Sequence, residues 1–144
     1  MKKNIISVDE INYALKEIVK QIDISGFEPE IIVSINRGGC IPGVYLSHFL
    51  NKPHKMVDIK SIDNLKISLN TLKKFKSALI IDDINDTGKT FTIIKETFDN
   101  TNAEIRYAAL INNISSKTKI EYHGQIINKK ENPIWYVFPW ENWW

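Results

Sequence analysis

Two adjacent carboxylates, Asp82 and Asp83, follow the apolar run Ala78-Leu79-Ile80-Ile81. A third, Asp86, stands just beyond them, ahead of Thr87-Gly88-Lys89-Thr90. Like charges at the mouth of a buried strand repel each other and lose solvation. Such a pair is either a loop or helix-cap pair facing water, or one that accepts hydrogen bonds from a diol or approaches a cation. The residues that follow favour the second reading. Thr87 and Thr90 offer hydroxyls, Gly88 frees backbone N–H groups, and a helix start comes next, which together compose a phosphate cradle. A diol site beside a monophosphate site describes a ribose 5-phosphate. The stretch also ends as a nucleoside-triphosphate P-loop ends, in Gly88-Lys89-Thr90. That motif needs a glycine where this chain has Asp83, whose carboxylate would face the phosphates. The P-loop alternative fails on that residue.

These side chains need a rigid frame, and the pattern of the chain supplies one. Ile11, Ala14, Leu15, Ile18, Val19 and Ile22 recur with helical spacing, which predicts an amphipathic helix over 9–24, with Asp9 as N-cap and Ser25-Gly26 as stop. Strands are predicted at 30–35, 55–59, 77–81 and 105–111, with helices at 44–50 and 87–98. Shorter strand-like pieces follow at 125–127 and 135–138. The polar segment 60–76 reads as a mobile loop or small excursion. Strands separated by helices indicate an α/β domain with a mainly parallel sheet, here one domain over 1–144. Ligands of such sheets sit beyond the carboxyl ends of the strands. Two unusual loops, 36–43 (Asn-Arg-Gly-Gly-Cys-Ile-Pro-Gly) and 82–90, lie at ends of that kind and can converge on one ligand.

Composition narrows the class. A chain of 144 residues with 43% hydrophobic and 25% charged residues suits one ordinary globular core. A net charge of +2 is too weak to argue for nucleic acid or an anionic membrane. The single cysteine, Cys40, excludes an internal disulfide and fits a reducing compartment. With no apolar run of signal-peptide or membrane-span length, the expected location is cytoplasmic.

The stretch Ile-Ile-Asp-Asp-Ile-Asn-Asp-Thr-Gly-Lys-Thr at 80–90 resembles the signature of the type I phosphoribosyltransferases. Ser-Ile-Asn-Arg-Gly-Gly-Cys-Ile-Pro-Gly at 34–43 is similar to the pyrophosphate loop of their purine-salvage branch. Trp-Tyr-Val-Phe-Pro-Trp-Glu at 135–141 resembles the small bacterial and archaeal enzymes of the xanthine-guanine and hypoxanthine type. The resemblance covers nearly the whole chain. It implies a parallel sheet flanked by helices with a small C-terminal hood over the base, and transfer of a phosphoribosyl group from phosphoribosyl pyrophosphate to a purine, with Mg2+. It further implies a homo-oligomer, dimer or tetramer. Carried over by residue, Asp82 and Asp83 bind the ribose diol and lie near the magnesium. Asp86, Thr87, Gly88, Lys89 and Thr90 wrap the 5-phosphate, and Arg37 with Gly38 holds pyrophosphate. Asp86 and Arg37 are the implied catalytic groups, and Trp135, Asn113 and Glu141 the implied base contacts. An unusual backbone at Asn36-Arg37, as a cis non-proline peptide, is also implied.

The chain departs from that pattern in two places. Ser61 is followed by Ile62 where the mobile loop commonly carries Ser-Tyr. Asn112-Asn113 stand where a lysine usually reads the purine 6-oxygen, and Lys117 is a neighbouring candidate to replace it. An amide can donate to an oxygen or accept from an amine, so the base is less fixed than the reaction. His48, His54 and His123 have no ligand spacing. Cys40 reads as a packing residue rather than a reactive thiol, and Trp140, Trp143 and Trp144 as hood packing or a subunit interface. Lys73, Lys74 and Lys76 read as solvated surface. Two rivals stand beside a 6-oxopurine enzyme. One is a nucleotide-sensing regulator on the same fold that binds nucleic acid or protein, and the other an enzyme for another base. The modest charge together with Arg37 and Asp86 favours the enzyme.

Overall fold

The computed structural model describes residues 1–144. Lys2–Ile5 (β1) leads into Val8–Ser25 (α1), then Ile31–Ile35 (β2), Cys40–Leu50 (α2), His54–Val57 (β3) and Ile62–Leu72 (α3). Ser77–Asn85 (β4), Lys89–Phe98 (α4), Glu104–Asn113 (β5), Tyr122–Ile127 (β6) and Ile134–Val137 (β7) follow, and Pro139–Glu141 makes a short 3-10 turn. Five strands form one sheet in the order β3-β2-β4-β5-β6, with every neighbouring pair parallel. β1 and β7 form a separate parallel pair, Lys2 opposite Ile134 through Ile5 opposite Val137.

The central strands are apolar in a continuous run because the sheet is covered on both faces. Ile31, Ile32, Val33, Ile35, Ala78, Leu79, Ile80 and Ile81 are all buried. Leu79 and Ile81 pack with Ile11, Ala14, Leu15, Ile18 and Ile22 of α1 and with Ile134, Tyr136 and Phe138 of the hood. Ala78 and Ile80 pack on the other face with Leu65, Leu72, Phe91, Ile94 and Phe98 of α3 and α4. The alternation of a strand thus sorts one sequence run into two cores.

Local chemistry sets the ends. α1 starts earlier than its apolar spacing predicts, because Ser7, not Asp9, is the N-cap. Ser7 Oγ accepts from Glu10 N–H at 3.1 Å and Glu10 Oε1 accepts from Ser7 N–H at 3.3 Å, a reciprocal capping box. Gly26 closes the helix in the left-handed region at φ 71°. The segment 60–76 is not a loop: it holds α3, capped by Ser61 Oγ, which accepts from Asn64 N–H at 3.1 Å. β4 runs on past Ile81 to Asn85, α2 begins at Cys40, and α4 begins at Lys89 rather than Thr87. No helix is long and apolar enough to cross a membrane.

Candidate functional site

The extension of β4 carries Asp82 and Asp83 past the buried run to the carboxyl edge of the sheet. Asp83 N–H donates to Asp82 Oδ1 at 2.8 Å, and Ile84 N–H donates to Asp83 Oδ1 at 2.7 Å. Neither carboxylate enters either of the chain's two ion pairs. Burial holds the Asp82 carboxyl well above the ordinary carboxylate range, and the neighbouring Asp83 charge adds to the effect. Burial also pushes Asp83 up to about 6, against the hydrogen bonds it shares with the Asp82 side chain and Ile84 N–H; the Glu141 charge pushes the same way as burial. The protein leaves this pair short of positive charge.

The loop after β2 closes on the same point. The Asn36–Arg37 peptide is cis, as the sequence resemblance implies. Gly38 lies directly against the Asp83 carboxylate, and any Cβ there would overlap it. A Cβ at Gly39 would meet the carbonyl oxygens of Ile81 and Ile35, so this turn passes against the strands as bare backbone. Arg37 is exposed and takes part in no ion pair. Cys40, half-buried, has its thiol pushed up by burial and by the Asp82 charge, which fits packing rather than nucleophilic chemistry.

Downstream of Asp83 the chain turns into α4. Gly88 takes φ 89°, and its oxygen accepts from Thr92 N–H at 2.9 Å. The N–H groups of Thr87, Gly88, Thr90 and Phe91 have no backbone acceptor, and they line a cleft of about 230 Å³ together with Asp82, Asp83, Asp86 and Lys89. Open amides at a helix start attract anions. A polar buttress stands behind the turn. Asn85, 1% exposed, donates to Asn112 Oδ1 at 2.9 Å and Thr118 O at 2.8 Å, and it accepts from Ser116 Oγ at 2.9 Å. Thr118 Oγ1 donates to Gly88 O at 3.0 Å, and Lys117 N–H to Thr87 O at 3.1 Å.

The hood makes the remaining wall. A pocket of about 180 Å³ is lined by Asp83, Ile84, Asp86, Lys129, Trp135, Tyr136, Phe138 and Glu141. Trp135 is half exposed, and Glu141 Oε2 accepts from Phe138 N–H at 2.7 Å. Lys129 Nζ pairs with Asp86 Oδ2 at 2.9 Å and stands 5.6 Å from the Trp135 ring centre. Asn113 does not line this pocket. It is 4% exposed, its Nδ2 donates to Asp86 O at 2.8 Å, and its Oδ1 accepts from the N–H groups of Ser115 and Lys129. The expectation that Asn113 contacts the base gives way: its amide is already spent bracing two site residues. Lys117 is exposed and lies beside the anion cleft instead of the pocket.

Lys129 was absent from the sequence-based candidates. Asn-Lys-Lys-Glu-Asn at 128–132 reads as a polar turn, and only the pairing of β5 with β6 carries it to the site. Trp140 stacks on Phe138 with ring centres 5.0 Å apart, whereas Trp143 and Trp144 are exposed.

The family model for the phosphoribosyl transferase domain matches residues 2–142. Comparison with curated proteins gives no match. Among solved structures, the chain is similar to a purine phosphoribosyltransferase from Pyrococcus horikoshii OT3, at 27% identity and a TM-score of 0.75, over 99% of this chain and 96% of that one. It is similar to a xanthine-guanine-hypoxanthine phosphoribosyltransferase from Helicobacter pylori at 20% identity and a TM-score of 0.77, over 96% and 92% of the two chains. A hypothetical protein from Neisseria gonorrhoeae, solved with bound ppGpp, matches at 20% identity and a TM-score of 0.79, over 99% and 91%.

Proposed function

The chain belongs to the phosphoribosyltransferase family, and from that premise we propose that it transfers the 5-phosphoribosyl group of phosphoribosyl pyrophosphate to a 6-oxopurine (xanthine, guanine or hypoxanthine), releasing pyrophosphate. One observation carries this reading. The anion cleft and the aromatic pocket share Asp83, Ile84 and Asp86, so a sugar held at the acid pair has a phosphate cradle on one side and a stacking face on the other.

In this reading Asp82 and Asp83 accept hydrogen bonds from the ribose hydroxyls. The open amides and hydroxyls of Thr87, Gly88, Lys89 and Thr90, with Asp86 at the start of the turn, enclose the 5-phosphate. Arg37 and the Gly38 amide hold pyrophosphate, where a planar guanidinium suits multidentate anion recognition. The base lies on Trp135, with Glu141 at the mouth of the pocket. Departure of pyrophosphate leaves oxocarbenium character on the anomeric carbon, as in other glycosyl transfers. Ionised carboxylates beside the ribose favour that charge, and Arg37 takes up the charge gathering on the leaving group. Asp86 accepts the proton that the attacking purine gives up.

The acid pair fits magnesium as part of a site completed by substrate. No three His, Cys, Asp or Glu side chains converge to cage a metal, yet Asp82 and Asp83 are desolvated without a cation. Mg2+ is commonly held by one or two carboxylates plus substrate phosphates. When bound, it supplies charge neutralisation for the pyrophosphate.

The test is turnover with a panel of free bases, phosphoribosyl pyrophosphate and magnesium. Hypoxanthine, guanine or xanthine should be consumed with pyrophosphate released, and use of adenine or uracil alone would overturn the base assignment. Trp135→Ala should raise KM for the base about 10-fold, from a stacking loss of roughly 1–3 kcal/mol, and leave KM for phosphoribosyl pyrophosphate nearly unchanged. A second reading, a sensor of guanine nucleotides, draws on the relative solved with ppGpp. Tight ppGpp binding with no pyrophosphate release from any base would favour it.

A further inference from the structure

We infer that Lys129 selects the base, by donating to a carbonyl on the substrate's edge. The inference rests on the phosphoribosyl-transfer reading and names the group that gives it specificity.

Three features of the structure place this ammonium. The β6–β7 turn is shaped by Asn128, whose backbone oxygen accepts from Glu131 N–H at 3.2 Å and whose Oδ1 accepts from Lys130 N–H at 3.2 Å. The Lys129 amide is pinned by Asn113 Oδ1 at 3.0 Å. The side chain then crosses into the pocket, only 18% exposed, and ends on Asp86. The Asn113 amide also donates to the Asp86 backbone oxygen, so one buried side chain fixes both members of the Lys129–Asp86 pair.

An ammonium has three donors and no acceptor. Asp86 Oδ2 takes one N–H of Lys129, which leaves two donors in a pocket that also contains the Trp135 ring. Nζ stands over the Trp135 ring, 5.6 Å from its centre, so a base that enters to stack on Trp135 meets this ammonium. The facing group must accept. A carbonyl satisfies the remaining donors of Lys129, whereas an exocyclic amine meets them donor to donor and leaves them without an acceptor.

Calorimetry on the intact chain tests this without relying on turnover, with inosine 5′-monophosphate and adenosine 5′-monophosphate as probes and ribose 5-phosphate as control. The parent should prefer the inosine nucleotide by at least about 10-fold, the scale of one charge-assisted hydrogen bond. Lys129→Gln should bring the two affinities within about 3-fold of each other, since an amide both donates and accepts. Its affinity for ribose 5-phosphate should be unchanged, and Lys129→Arg should keep the preference. A preference that survives Lys129→Gln, or that the parent lacks, overturns the inference; so does a parallel loss of ribose 5-phosphate binding. The base panel reports separately on the transferase: oxopurine turnover with an unchanged nucleotide preference in Lys129→Gln sinks Lys129 alone. A preference that collapses in the variant while no base is turned over sinks the transferase reading and leaves Lys129 standing.

Discussion

Asp83 is a carboxylate that folding makes less comfortable. Its pKa rises to about 6 because burial disfavours its charge, and Asp82 rises with it for the same reason. The folded state therefore binds more protons than the unfolded state between the ordinary carboxylate range and about pH 6. Stability that the pair contributes when protonated is lost as pH rises through that window, the reverse of a salt-bridged carboxylate. Asp83→Asn should raise the stability of the ligand-free protein at pH 7 by about 1–3 kcal/mol, read from denaturant midpoints, with the gain vanishing near pH 4. The same variant should lose most of its activity. If it is no more stable than the parent at pH 7, the acid pair is better solvated or better paired in solution than its surroundings indicate. The pattern is that of a site which keeps unfavourable charge in place for a ligand.

At the scale of elements, the β4–α4 junction depends on one backbone conformation. Gly88 has φ 89°, and a Cβ there would press on Ser116 Oγ and Thr118 N. Gly88→Ala should cost roughly 2–4 kcal/mol, from the left-handed backbone and overpacking together, and it should weaken phosphate binding. Lys89→Ala next to it, at an exposed position, should leave the denaturation midpoint nearly unmoved. A Gly88→Ala protein as stable as the parent would mean that the 115–118 loop does not buttress the turn. How far the elements were legible follows from what fixes each one. The apolar run of β4 and the helical spacing of α1 are local signals, and both were readable. α3 buries only Leu65 and Leu72, while Ile62 and Ile67 are exposed and Leu69 half-buried, so its periodicity was too thin to read. β1, Lys-Lys-Asn-Ile, is almost wholly exposed and becomes a strand only because β7 lies beside it. The site divides the same way. The acids and the glycine turn were adjacent in sequence and readable, while Lys129 reaches Asp86 across 43 positions through strand pairing, which no local pattern reports.

On the scale of the whole molecule, the two ends of the chain join to build the pocket wall. β1 is the only strand partner of β7, and Lys3 lies opposite Trp135 in their register. Ile6 N–H continues the ladder to Val137 O at 2.8 Å, and the buried Ile6 side chain ties this corner into the core that α1 shares with Ile134, Tyr136 and Phe138. The phosphate cleft has different supports, since β4, α4 and the 115–118 loop hold it without any contribution from β1. Removing residues 1–5 keeps Ser7, its capping box and Ile6, and takes away only the strand that holds β7 flat. An unpaired strand edge should fray, because its backbone groups turn to water and the Trp135 face loses its fixed position. The truncated chain should show KM for the base raised by about 10-fold, within the range set by losing one base–aromatic stack, and KM for phosphoribosyl pyrophosphate changed less than about 2-fold. Steady-state kinetics with each substrate varied in turn separates the two constants. Equal rises in both would show that the terminal strand supports the fold as a whole; a rise confined to the base would assign the amino terminus to the base pocket, although its sequence carries no chemistry.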